Sequence, residues 1–135
     1  MYTATDNNDI RITVGAFEDD EFLGFIAGSI AETTDISNNG IECNGLFINP
    51  KHRRRGISLR LLIYLLDYFQ NFGMEQIVIY NHRYAPSNNF YRKFGVEELR
   101  QDIQIAAGVE ILVDVFIINI EYFKDGLSKA LNRYT

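Results

Sequence analysis

The apolar period of the chain changes at Asn49-Pro50, and this change constrains the fold more than any other feature. Ahead of it, apolar and polar residues alternate, as a strand buried on one face requires. Ile10, Ile12, Val14 and Ala16 alternate with Arg11, Thr13, Gly15 and Phe17, and a second strand follows the acidic turn Glu18-Asp19-Asp20-Glu21, from Phe22 to about Ile30. Glu32 to Gly40 has loop chemistry, with Asn38-Asn39-Gly40 as its tight turn, and a third strand runs from Ile41 to Ile48. Beyond Pro50 the period becomes helical. Leu61, Leu62, Leu65, Leu66 and Phe69 recur at i, i+3, i+4 spacing, which predicts a helix from Ile57 to about Gln70, stopped by Gly73. Gln76 to Tyr80 is a short, nearly continuous apolar run, typical of a strand buried on both faces. Ser87 N-caps a short helix through about Phe94, ended by Gly95. Two further strands, Val96 to Ala107 and Val109 to Ile120, flank Gly108, and Phe123, Leu127, Ala130, Leu131 and Tyr134 form one stripe of a terminal helix. The predicted order is β-β-β-α-β-α-β-β-α, an α+β fold with a mixed, mostly antiparallel sheet.

A chain of 135 residues that is 47% hydrophobic suits one domain over residues 1–135, with neither linker nor internal repeat. An aromatic content of 13% excludes extended disorder, and Cys43, as the single cysteine, excludes a disulfide scaffold. No apolar run reaches membrane-span length, and the first residues show no signal peptide, so the expectation is a cytoplasmic protein without a membrane partner.

The net charge of −5 conceals where the charge lies. Residues 1–42 carry nine acids and one base, Arg11, whereas residues 43–66 carry no acid but Lys51, Arg53, Arg54, Arg55 and Arg60. A basic island in an acidic chain points to a local anionic ligand; nucleic-acid binding, which favours a basic face, is disfavoured. The island lies in Leu46-Phe47-Ile48-Asn49-Pro50-Lys51-His52-Arg53-Arg54-Arg55-Gly56-Ile57-Ser58, which runs from strand through loop into helix. Such a loop offers unpaired backbone N–H groups and the positive end of the helix dipole. Gly56 lets the backbone approach a ligand closely, and arginines add charge-assisted bonds to phosphate oxygens. The segment reads as a pyrophosphate cradle, although it matches neither the P-loop nor the dinucleotide fingerprint.

Arg53-Arg54-Arg55-Gly56-Ile57-Ser58 resembles the [QR]-x-x-G-x-[GA] acetyl-CoA signature of the GNAT superfamily of N-acyltransferases. Ser87-Asn88-Asn89-Phe90-Tyr91-Arg92-Lys93-Phe94-Gly95-Val96 is similar to that family's A-x-x-[LF]-Y-x-K-x-G-[FV] segment. Ser58 and Ser87 stand where the family has Gly or Ala, both small replacements. The two motifs, correctly spaced and bracketing a helix and a buried strand, are together fairly specific. The resemblance implies a three-layer fold. Family members usually open with a strand and one or two helices that shape the acceptor site, and only nine residues precede the first predicted strand here.

The resemblance further implies acetyl-CoA as cosubstrate, with no metal, and transfer of its acetyl group to a primary amine by direct attack in a ternary complex. Backbone N–H groups of Arg53, Arg54, Arg55, Gly56, Ile57 and Ser58 would hold the pyrophosphate, with the arginine side chains assisting or reaching the 3′-phosphate. Asn88, in the second motif, is also given to the cofactor. The main chain of Leu46, Phe47 and Ile48 would pair with the pantetheine, their side chains being core, and the neighbouring buried strand must splay away to admit it. Tyr91 would protonate the departing thiolate, a phenol near pKa 10 against a thiol near 8.5. Glu42 would take the acceptor's proton, because freeing a lysine-like amine at pH 7 costs about 4.6 kcal/mol.

By strand alternation, Glu42, Asn44, Leu46 and Ile48 share one face of the third strand, with Cys43 on the other as a core residue. Tyr80 and Asn81 would line the acceptor side of the same cleft. His52 and His82 are too scattered for a metal site, and no Ser-His-Asp arrangement is suggested. The acidic N-terminal region favours a cationic acceptor. A second reading stays open: a catalytically inactive CoA-binding or structural protein of the same fold. The terminal stripe is expected to cover apolar sheet surface, in the same chain or in a homodimer.

Overall fold

The first half of the chain builds four of the seven strands that the described residues place in one sheet. The computed structural model describes residues 2–5, 11–30, 40–82, 87–94 and 98–134. Its elements are β1 (Tyr2–Thr5), β2 (Arg11–Glu18), β3 (Glu21–Ile30), β4 (Gly40–Ile48), a 3₁₀ turn (Pro50–His52), α1 (Ile57–Gln70), β5 (Gln76–His82), α2 (Ser87–Lys93), β6 (Glu98–Ala106), β7 (Val109–Asn119) and α3 (Ile120–Leu131), followed by a second 3₁₀ turn (Asn132–Tyr134). The strand order is β1-β2-β3-β4-β5-β7-β6. Among the described residues only β4 and β5 are parallel, joined through α1, and every other neighbouring pair is antiparallel.

One face of this sheet carries the main core. Ile12 and Val14 of β2, Ile26 of β3, Ile41 of β4, Ile77 and Ile79 of β5, and Phe116 of β7 are all buried there. Against them pack Leu61, Leu62, Leu65, Leu66 and Phe69 of α1, Tyr91 of α2, and Phe123 and Leu127 of α3. Gly28 makes the close approach of α1 to β3 possible, since a Cβ there would lie 2.9 Å from Leu65 Cδ1. The opposite face holds a smaller cluster, Val78 and Val115 with Tyr80 and Ile117, and among the described residues no helix contributes to it.

Three features differ from the sequence expectations or go beyond them. First, β1 precedes the first predicted strand and pairs with β2, Tyr2 opposite Gly15 and Thr5 opposite Ile12. Four residues are too few to show a period. Second, all three helices contribute to the main core and, among the described residues, none contributes to the smaller cluster, an arrangement that the element order alone does not specify. In it, α3 lies beside α1 with its start at the α1 end: Lys124 pairs with Asp67 at 2.6 Å, and Gln70 donates to Glu121. As expected, the α3 stripe buries apolar surface, with Phe123 and Leu127 inaccessible and Ala130 and Leu131 packed against the core. Third, β7 stops at Asn119 and α3 begins at Ile120, because Asn119 Oδ1 accepts from Tyr122 N at 3.0 Å and caps the helix.

A bulge in β4 resets its faces. Ala27 lies opposite Gly45 but Gly28 opposite Cys43, which leaves Asn44 as the extra residue. Asn44 Nδ2 donates to the buried Ser29 Oγ at 3.1 Å and holds the bulge in place. A one-residue shift exchanges the two faces. Ile41, Cys43, Leu46 and Ile48 therefore contact the main core, and Glu42 stands on the opposite face from Leu46 and Ile48. The predicted common face of Glu42, Asn44, Leu46 and Ile48 is corrected accordingly.

Candidate functional site

The parallel pair β4–β5 is short. It joins Gly40 to Gln76, Ile41 to Ile77 and Glu42 to Val78, and pairs no further. Beyond Glu42, β4 stays paired with β3 as far as Ile48, so its other edge diverges from β5. Cys43 to Ile48 thus present main-chain donors and acceptors to a cleft between two splayed strands, a geometry that accepts an extended ligand as an added strand. Leu46 and Ile48 pack into the core as expected. Phe47 does not: it is 42% exposed and stacks with Phe22 and Phe25 on the opposite face.

The cleft leads to the start of α1. Asn49 Oδ1 accepts from Lys51 N at 3.2 Å and starts the 3₁₀ turn, after which Arg54 (φ 65°) and Gly56 (φ 76°) both adopt left-handed backbone. Left-handed residues in such a turn aim successive N–H groups into a concavity that suits an anion. Gly56 is the N-cap residue, no side chain caps α1, and its first turn holds no acid. The first helical bond runs from Arg60 N to Gly56 O at 3.1 Å, so the N–H groups of Ile57, Ser58 and Leu59 have no helical carbonyl to meet.

The three arginines divide their work. Arg55 contacts Glu18 and donates from Nη1 to His52 Nδ1 at 2.9 Å. This network requires the His52 tautomer whose Nε2–H donates to Glu21 Oε1 at 2.9 Å. Arg55 is therefore a strut between the basic loop and the β2–β3 turn, while Arg53 and Arg54 are exposed. The hydrogen bond from His52 is the main influence holding the Glu21 carboxyl below its ordinary value, and the nearby Lys51 and Arg55 charges act in the same direction. A lowered carboxyl stabilises the pair above its unfolded pKa of about 4.3 and loses that contribution as pH falls through the folded value.

Deeper in the cleft, polar groups from three elements meet. Tyr91 of α2 is 5% exposed, its ring 5.8 Å from Phe116 and 6.4 Å from Phe123, and its hydroxyl is hydrogen-bonded to Asn81 of β5. Burial raises the phenol well above its usual range, the nearby Cys43 adds to this, and Asn81 opposes it. Asn81 lies opposite Asp114 of β7, a nearly inaccessible carboxylate that Arg92 Nη2 approaches at 3.6 Å. Arg92 also lies over the Phe116 ring, 5.5 Å from its centre. Asp114 was not legible as a site residue, although it is the single charge within Ile111 to Ile118.

Glu42 and Tyr91 both border the splay, on opposite faces of the sheet: Cys43 and Ile79 face Tyr91, whereas Tyr80 packs with Val78 and Val115 on the far side. Asn81 and Tyr80 are split in the same way. Burial pushes the Cys43 thiol up to about 11, and its Sγ lies 3.8 Å from Gly45 O. At pH 8 such a thiol is about one part in a thousand thiolate. Iodoacetamide is therefore expected to alkylate native Cys43 at least about 100-fold more slowly than the urea-unfolded chain; equal rates would mark an activated thiolate instead. Asn88 belongs to α2, but its side chain lies outside the described residues, as does that of His82. Among the described residues no three His, Cys, Asp or Glu side chains converge as a metal site, and no helix is long and apolar enough to cross a membrane.

Known proteins share this fold. A protein from Bacillus anthracis assigned as a streptothricin acetyltransferase, solved with acetyl coenzyme A, superposes with TM-score 0.70 at 18% identity, over 85% of this chain and 65% of that one. Arabidopsis thaliana NAA60, solved with a bisubstrate analogue, gives 0.66 at 15% identity, over 84% of this chain and 76% of that one. The ribosomal-protein-S18-alanine N-acetyltransferase of Escherichia coli gives 0.64 at 11% identity, over 86% and 72%. At these identities the likeness is one of fold. No curated protein matches the sequence. The sequence model described as the Acetyltransferase (GNAT) family matches residues 2–96, from β1 through the second motif. With most of its length matched in sequence and its fold shared, this chain belongs to the GNAT acetyltransferase family.

Proposed function

We propose that this protein transfers the acetyl group of acetyl-CoA to a primary amine by direct attack within a ternary complex. The observation that carries this reading is the end of the β4–β5 pairing at Glu42 and Val78, which opens a strand edge onto the uncapped start of α1. That edge suits the two amides of pantetheine, and the left-handed Arg54 and Gly56 turn suits the pyrophosphate. Backbone donors held by a packed helix need no reorganisation, so their whole strength goes to the anion.

The thioester supplies the chemistry: the amine nitrogen bonds to its carbonyl carbon, the C–S bond breaks, and the electron pair leaves on sulfur. Tyr91 meets that sulfur with an O–H kept protonated by burial. Because its phenol is raised, complete proton transfer to a thiolate near 8.5 is uphill, and the hydroxyl acts mainly as a hydrogen-bond donor that stabilises the developing charge. Asn81 orients it, and Asp114 with Arg92 supports Asn81 from β7 and α2. Glu42, half-buried on the other face, accepts from the incoming ammonium and passes its proton toward solvent, directly or through water.

The test is release of free CoA thiol from acetyl-CoA on addition of primary amines: polyamines, lysine peptides and peptide N-termini. Amine-dependent release with a matching mass gain of one acetyl group is expected. Tight acetyl-CoA binding without turnover on any amine would favour the CoA-binding protein without catalysis.

A further inference from the structure

The sheet face away from the helices carries an aromatic cluster beside the β2–β3 turn. Phe17 and Phe22 stand 5.7 Å apart, Phe22 stacks with Phe47 at 6.4 Å, and Phe47 stacks with the half-buried Phe25 at 6.1 Å. Phe17 is 50% exposed, Phe22 38% and Phe47 42%, so three large rings keep much of their surface in water. Exposed rings joined in one patch mark a surface made for contact.

This patch shares its face with Glu42, since both Glu42 and Phe47 point away from Leu46 and Ile48. Glu42 lies opposite Ser29 and Phe47 opposite Phe25, four residues along β3, a span of about 13 Å. Between them the paired Ala27 and Gly45 form a floor of small residues. A Cβ at Gly45 would have one neighbour within 4 Å among the described residues, Phe25 Cε2 at 3.8 Å, so this floor is open. In the other direction the face is closed. Val78 of β5 and Val115 of β7, packed with Tyr80 and Ile117, are inaccessible. An acceptor whose amine sits at Glu42 therefore has its open run along β3 and β4, toward the rings.

Charge narrows what fits there. The turn beyond the rings is Glu18-Asp19-Asp20-Glu21. Arg55 and His52 partner Glu18 and Glu21, whereas Asp19 and Asp20 are exposed at its tip. Rings with a carboxylate rim suit an apolar segment that carries cations, and they repel an anionic lipid surface.

We infer that the acceptor is a polypeptide that crosses Ala27 and Gly45 in extended form and seats a large apolar side chain, about four residues from the acetylated one, on Phe17, Phe22 and Phe47. The inference rests on the acetyl-transfer reading and names its acceptor class. A small amine reaches Glu42 and gains nothing from the rings; a chain long enough to span the floor gains the burial of its anchor.

The measurement is CoA thiol release by the full chain on two sets of Gly/Ser peptides, one with a free N-terminal amine, the other blocked and holding one Lys. Each set carries a single Phe beside the amine-bearing residue, about four residues away, or none. In at least one set, the distant Phe is expected to raise kcat/KM at least about 10-fold over the Phe-free peptide, and the adjacent Phe by less than about threefold. Phe17→Ala and Phe22→Ala, both at exposed rings, should each cut that 10-fold ratio to below about threefold. Lys next to the distant Phe should raise kcat/KM further, and Glu should lower it. Equal use of peptides with and without the distant Phe, a gain no larger than that of the adjacent Phe, or a ratio untouched by both variants overturns the inference while acetyl transfer stands. Preference for Glu over Lys, or spermidine used faster than every peptide, overturns it as well. No turnover on any amine overturns the acetyl-transfer reading, and this inference with it.

Discussion

Tyr91→Phe is expected to lower kcat for acetyl transfer by about 100-fold or more while leaving the acetyl-CoA dissociation constant within about twofold. The hydroxyl is hydrogen-bonded to Asn81, and on the proposed mechanism it meets the departing sulfur, so its removal should affect turnover more than ground-state binding. Its loss also leaves the Asn81 amide short of one bond, which costs about 1 kcal/mol of stability. The pH dependence follows from the direction of its shift. A phenol raised by burial stays protonated throughout the range in which lysine-like amines lose their protons, so kcat/KM should rise with pH and show no alkaline fall below about pH 10. Steady-state rates of the variant between pH 7 and 10 provide the check. A Tyr91→Phe enzyme with unchanged kcat would reduce Tyr91 to packing between Phe116 and Phe123.

Gly56→Ala should weaken acetyl-CoA binding by about 100-fold, the loss of roughly two charge-assisted hydrogen bonds near 1.5 kcal/mol each. At φ 76° a Cβ meets its own carbonyl, at about 1–2 kcal/mol, and the relaxation that relieves this turns the N–H groups of the α1 start away from their common target. The stability change is small against a typical 5–15 kcal/mol, so the variant folds and its affinity can be measured. Calorimetry and urea unfolding on the same sample separate the two effects. Wild-type affinity would mean that the turn does not hold the pyrophosphate.

The strongly periodic segments were readable from sequence. α1 spans Ile57–Gln70, as its leucine spacing predicts, and the loop before it holds Arg54 and Gly56 in left-handed backbone. The splay of β5 from β4 was expected only because an extended ligand must fit between them, and it is present. What was not readable depends on contacts between distant residues. Asn44 gives no local sign of a bulge, which is set by its pairing with Ser29 across the sheet, yet it decides which face Glu42 occupies. Arg55 looked equivalent to Arg53 and Arg54 until the β2–β3 turn brought Glu18 beside it. Asp114 becomes a site residue only when β7 pairs with β5 and sets it opposite Asn81.

The central claim is that the open edge of β4 and the start of α1 form one acetyl-CoA site. Thermal unfolding of the full chain over increasing acetyl-CoA tests it most directly, because a ligand bound only to the folded state adds about 2.7 kcal/mol of stability at 100 times its dissociation constant. The acetyl-CoA reading predicts a saturable rise in Tm that follows this dependence, and its marked reduction in Gly56→Ala. No rise in Tm at millimolar acetyl-CoA would contradict it.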